Sequence, residues 1–209
     1  MTTVGILGTG RMGVRLAAAF ANAGAKVILG SRWKPGADGR YADLIARAGR
    51  RAMKPEERMR ELHLVLPAPP KPLGAYVPAV KAGGLLFLSG MLPLKEQRPV
   101  WTGRVGTELT AAEGREAAKL ASLNGLSVAR AALGSLDCIR RLARLTVHIA
   151  AAPDFSAHAA VADGASEIFA ALFCDGHARL AVGASSLPGD MPVELELVFE
   201  LMPPSGNNI

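Results

Sequence analysis

The stretch VELELVFEL, residues 193–201, alternates apolar and acidic side chains almost without a break. In an extended chain that period of two puts Val193, Leu195, Leu197, Phe199 and Leu201 on one face and Glu194, Glu196 and Glu200 on the other. Such a strand belongs in a sheet with helices packed on one side only. IRRLARLTVHIAA (139–151) and ARLAVGASS (178–186) read as further strands. In the first, Leu145, Val147 and Ile149 are expected to point inward, with Arg144, Thr146 and His148 pointing away. In the second, Leu180 and Val182 are expected under the helices, leaving Arg179, Ala181 and Gly183 on the opposite face with Glu194. LLFLSG (85–90) is apolar on both sides, so part of the second face is expected to be buried against another subunit.

Two helices fill the remaining space. TAAEGREAAKLASLNGLSVARAALG opens on a capping box, Thr110 with Glu113, and closes on Gly134. AHAAVADGASEIFAALFCDG is a second helix expected to end at Gly176. The element order is β-β-α-β-α-β-β, an α+β domain with two helices against one sheet.

The amino terminus has a different grammar. TVGILG, an alanine-rich helix stopping at Gly24, and AKVILG form one βαβ unit, a partial Rossmann-like segment. Gly8, Gly10 and Gly13 spell G-x-G-x-x-G between the first strand and its helix, where free amides attract a pyrophosphate. Ser31 and Arg32 stand where an acidic ribose reader would mark NAD, so the nucleotide suggested is NADP. This opening resembles that of the NADP-dependent deazaflavin oxidoreductases. No third parallel strand follows, so the unit reads as a remnant fused to its neighbour, with NADP binding as the alternative. The Pro cluster at Pro67, Pro69, Pro70 and Pro72 is a stiff connector. The boundary falls near Arg51 to Lys54, giving segments 1–52 and 53–209.

Charge divides in the same way. The formal net charge is +6, yet residues 1–60 hold 12 Lys/Arg against 4 Asp/Glu, leaving −2 on the remainder. A nucleic-acid surface needs its cations gathered along the phosphates, and the larger part of the chain does not gather them. With no secretory signal and no apolar run of bilayer length, the chain reads as soluble and cytoplasmic, without a membrane partner. Cys138 and Cys174 lie far apart with no CxxC, so they read as reduced core thiols, with no metal site.

GAYVPAV, LFLSGMLP, GHARLAVGASSLP and PVELELVFEL, in that order, resemble the RidA/YjgF family of reactive-intermediate deaminases, once grouped as L-PSP endoribonuclease-like proteins, over residues 54–202. The resemblance implies a chorismate-mutase-like fold, a homotrimer with clefts between subunits, and hydrolysis of enamines and imines to 2-ketoacids and ammonia. It implies no required metal or cofactor. The family arginine falls on Arg179, a bidentate clamp on the substrate carboxylate. The family glutamate falls on Glu194, which would aim water or shuttle its proton. Tyr76 and Ser89 match positions lining the same pocket. Leu180 and Ala181 replace the small polar or cysteine side chains common after the arginine. From the residues alone, Arg179 and Glu194 also fit a cross-strand ion pair, and His177 a surface histidine. Two other functions stay open: an NADP-dependent imine reductase using the glycine loop, and a non-catalytic trimer that senses carboxylates.

Overall fold

The computed structural model describes residues 3–7, 26–30 and 53–203. The chain divides into two compact units, Met1–Arg58 and Met59–Ile209. In the first, strands β1 (Thr3–Leu7) and β2 (Lys26–Gly30) pair in parallel with Thr3 opposite Lys26. Gly8, Gly10, Gly13, Ser31 and Arg32 lie outside the described residues, as does the helix expected between the two strands.

Helix α1 (Pro55–Glu61) begins on a proline, whose fixed φ and missing N–H suit a first turn. Residues 64–72, with the four prolines, have no regular structure and form a strap held by the Ser127 hydroxyl, which donates to the Pro67 carbonyl at 2.6 Å. Strands β3 (Ala79–Ala82) and β4 (Leu85–Leu88) come next. A small hairpin of β5 (Leu94–Lys95) and β6 (Arg98–Pro99) follows. Its tip uses Glu96 at φ 52 and Gln97 at φ 65, two positive angles that a two-residue hairpin turn demands and glycine or asparagine usually supplies. The sequence reading did not foresee this hairpin, because neither residue is a turn former.

Helix α2 (Ala111–Leu133) has both ends as expected. Thr110 and Glu113 form the reciprocal capping box, and Gly134 closes the helix in the left-handed conformation. Strand β7 (Ile139–Ala150), helix α3 (His158–Leu172), strand β8 (Ala178–Ala184) and strand β9 (Val193–Leu201) complete the unit. The main sheet runs β3-β4-β9-β7-β8, antiparallel throughout except for the parallel β7–β8 pair that α3 connects. Both long helices lie on one face. Val193, Leu195, Leu197 and Phe199 are buried beneath them together with Leu145, Val147 and Ile149, as alternation requires. This is the α+β arrangement, two long helices against one sheet, that the sequence predicts. Among the described residues no helix is long and apolar enough to cross a membrane.

Two local expectations fail. Helix α3 stops at Leu172 rather than Gly176, because Phe173 turns extended and packs its ring 6.1 Å from that of Phe199. Burying an aromatic ring outweighs four more helical residues. Nor are the cysteines core thiols: Cys138 is exposed and Cys174 partly so, since each sits where a helix hands over to a strand.

The two helices touch closely at Gly164, where a Cβ would overlap the carbonyl oxygen of Arg115. Gly164→Ala should therefore force the helices apart and lower unfolding free energy by about 1–3 kcal/mol in urea titration. Thr110→Ala, which removes only a cap, should cost about 1 kcal/mol.

Candidate functional site

Glu194 sits near the start of β9, on the sheet face away from the helices, opposite His148 of β7. Its side chain lies over Gly90, so closely that a Cβ on Gly90 would overlap the carboxylate Oε1. A side chain at that position would displace the Glu194 carboxylate from its seat. Half-burial pushes the Glu194 carboxyl above the usual range. Attraction to His148 opposes the rise and repulsion from Glu196 adds to it. His148 in turn pairs with Glu196, Nε2 to Oε1 at 3.2 Å.

Around Gly90 the chain builds a pocket. Tyr76, Pro78, Met91, Leu92 and Leu94 line it, and the strap adds Pro70, Lys71, Pro72 and Leu73. Buried Asn124 of α2 fixes one wall, donating its amide to the carbonyls of Leu92 at 2.8 Å and Leu94 at 2.9 Å. The strap is fixed by Gln97, whose Oε1 accepts from the Lys71 N–H at 2.9 Å while its Nε2 donates to the Pro69 carbonyl at 3.4 Å. The Tyr76 hydroxyl accepts the Leu73 N–H at 3.0 Å, which keeps its own proton available for a ligand. Ser89 is committed differently. Its hydroxyl donates to the Val77 carbonyl at 2.7 Å and its N–H to that of Pro78, so it can offer a ligand only lone pairs.

Arg179 is elsewhere. The parallel register sets it beside Leu145, which pairs with core residue Leu197, so Arg179 belongs to the helix face. Its Nη1 donates to Asp163 Oδ1 at 2.6 Å and to Ser166 Oγ at 3.0 Å, both on α3. His177 lies on the same side, its Nε2 3.0 Å from Ser166 Oγ. Burial, then the nearby Arg179 charge, holds the His177 pKa below the usual histidine value. The expected assignment of faces in this strand is thus reversed. Leu180 is exposed on the open face, and Arg179 and Glu194 are neither an ion pair nor neighbours within one chain. The physical reason is the edge position. At the end of the sheet the helix layer thins out, so an arginine can lie under it with its head reaching water and a leucine can face the other way. With β7 between them, the two strands are about 10 Å apart, and the residues point to opposite sides.

The structure therefore puts Tyr76 in the pocket wall and Glu194 over its Gly90, leaves Ser89, next to Gly90 in the chain, outside the lining, and keeps Arg179 on the opposite face of the edge strand. Sequence reasoning missed Gly90, although its SG turn was in view, and missed Asp163 and Ser166, which no motif marks. Among the described residues no group of three or more His, Cys, Asp or Glu is gathered around a metal position.

Residues 56–200 match the model of the YjgF/chorismate mutase-like endoribonuclease family. The chain belongs to that family. Among its relatives is the protein TCP17 of Trypanosoma cruzi, 37% identical over 146 residues, covering 68% of this chain and 91% of the relative. A solved structure of a protein of unknown function from Agrobacterium tumefaciens is 36% identical with a TM-score of 0.65, covering 71% of this chain and 93% of that one. A Shewanella oneidensis protein assigned as an endoribonuclease is 28% identical with a TM-score of 0.68, covering 71% and 100%. The YjgF fold of the second unit is therefore shared along nearly the whole length of these relatives.

The raised Glu194 pKa has a consequence for stability. The folded chain holds that proton more tightly than the unfolded chain, so this contribution is full below the ordinary glutamate range and is lost as pH rises through the raised value. Glu194→Gln keeps the shape and drops the charge. Its Tm should match wild type near about pH 4 and exceed it increasingly toward about pH 7 in thermal melts across that range.

Proposed function

We propose that this protein hydrolyses reactive 2-imino acids to 2-ketoacids and ammonia, through a site completed by two subunits of a homotrimer. The observation that carries this reading is the half-buried Glu194 carboxyl seated over Gly90 of the pocket that Tyr76 lines; Arg179, held on the opposite sheet face, then has to come from a neighbouring copy. Arg179 and Glu194 each have the chemistry for one half of the reaction, and one chain keeps them on opposite sides of its sheet. Arg179 stands on the edge strand β8, where a neighbouring copy can approach. The open sheet face carries exposed Val80, Phe87 and Leu180, an apolar surface suited to burial between subunits. The reaction unit is the domain that begins near Met53, as the sequence boundary suggests.

The chemistry asks little of the protein. An imine is already electrophilic at carbon, so the substrate has to be held and one water aimed. A guanidinium grips the carboxylate and keeps the imine carbon in place. The neighbour's Glu194 takes one proton from the attacking water as the C–O bond forms and passes it to the imine nitrogen, giving the carbinolamine; it then takes the hydroxyl proton and delivers it to nitrogen as the C=O bond forms, the C–N bond breaks and ammonia leaves. A carboxyl whose pKa is raised toward the working pH is suited to both transfers. Tyr76 has a hydroxyl proton to offer the substrate beside it.

Arg179→Ala and Glu194→Gln should each abolish the acceleration of 2-iminopropionate hydrolysis, followed as the imine is released by an amino acid oxidase, while sedimentation still shows three copies. When the two inactive variants are unfolded together in equal amounts and reassembled, the whole population should recover about a quarter of wild-type activity, because each mixed trimer then has one site that combines an intact Arg179 with an intact Glu194. Recovery absent in trimers shown to be mixed would dismiss the shared site.

A further inference from the structure

Arg179 uses one nitrogen twice and leaves the rest of its fork untouched. Both hydrogens of Nη1 are taken, one by Asp163 Oδ1 at 2.6 Å and one by Ser166 Oγ at 3.0 Å. Among the described residues Nε and Nη2 have no partner. Ser166 is itself tied, through its hydroxyl, to Nε2 of His177 at 3.0 Å. His177 also packs edge-on against the buried Phe169 ring, 6.5 Å between centroids, which anchors this small network to the core. The carboxylate and the hydroxyl come from consecutive turns of α3, three residues apart, so they form one surface of a rigid helix facing one side of the guanidinium.

We infer that Asp163 and Ser166 are positioning residues: they hold Arg179 by Nη1 so that its Nε–Nη2 edge meets the substrate carboxylate. This rests on the imine-hydrolase reading. A guanidinium binds a carboxylate bidentately through two parallel N–H bonds, and the pair Nε/Nη2 offers that geometry as well as Nη1/Nη2 does. With Nη1 occupied, only the first pair is left. The arrangement fixes the plane of the fork before substrate arrives, which removes the ordering cost of a long, flexible side chain. It also selects the direction of approach, since the carboxylate must come from the side of the sheet edge rather than over α3.

The opposite role for Asp163 is that of a competitor occupying the clamp. The two make different demands. Removing a competitor would strengthen the attraction for an anionic substrate and lower KM. Removing a positioning group releases the fork and raises KM, with kcat little changed, because the carboxylate is gripped equally in ground and transition states.

The experiment compares wild type, Asp163→Ala, Asp163→Asn and Ser166→Ala as full chains. All four are assayed for 2-iminopropionate hydrolysis, and wild type is crystallised with 2-oxobutyrate. Asp163→Ala should raise KM about tenfold, Ser166→Ala by less, and Asp163→Asn, which keeps an acceptor oxygen in place, should restore KM close to wild type. The ligand carboxylate should lie on Nε and Nη2 with Asp163 still on Nη1. A KM in Asp163→Ala that is unchanged or lowered, or a carboxylate that displaces Asp163 from Nη1, overturns the positioning role while leaving the hydrolase reading intact. Wild type that neither hydrolyses the imine nor binds 2-oxobutyrate removes the hydrolase reading, and this role with it.

Discussion

Everything in the second unit is organised by the central strand β9. It pairs with β4 on one side and β7 on the other, so its alternation is imposed on both neighbours through the register. Odd-numbered residues from Val193 to Phe199 fill the layer beneath the helices, and Phe199 meets the rings of Phe169 and Phe173 there. Even-numbered residues are thereby committed to the open face. A shift of one position would bury three glutamates and expose five large apolar groups, which no packing elsewhere could offset. The position of Glu194 is a by-product of hydrophobic burial.

That constraint made much of the fold legible. Period two in β9 and from Leu145 to Ile149 of β7, the Thr110 and Glu113 box, and Gly134 at the end of α2 are carried by the structure, whereas the first half of β7 has two register shifts, and Thr146, expected to face away, is buried. Strand β8 was misread because it is an edge strand. Its alternation of Arg179, Leu180, Ala181 and Val182 is ambiguous when neither side is fully covered, and the parallel register with β7, set through α3, decides the matter. The end of α3 was misread because Gly176 is a strong stop signal, while the pull of the core on Phe173 leaves no trace in local propensity.

Candidate site residues could be named from the sequence, but not how they are arranged. Tyr76, Ser89, Arg179 and Glu194 could be named from the pattern of motifs, but which of them share a space depends on pairing between strands far apart in sequence. Gly90 illustrates the limit. Its importance comes from what sits above it, and a glycine after a serine announces only a turn. Asp163 and Ser166 were invisible for a related reason, since polar residues on the outer side of a helix usually face water.

The strap of residues 64–72 belongs to no sheet, and two side chains, Ser127 and Gln97, clasp it to the body of the domain. The part of the pocket wall from Pro70 to Leu73 thus hangs on a few polar ties to main-chain atoms, which place little demand on the sequence there. Substitutions at Lys71 or Leu73 can reshape the cavity while the hydrophobic core stays untouched. A lineage built on this scaffold can therefore vary its ligand by drift at the far end of the strap, beyond Leu64 and Leu66, which pack on the core.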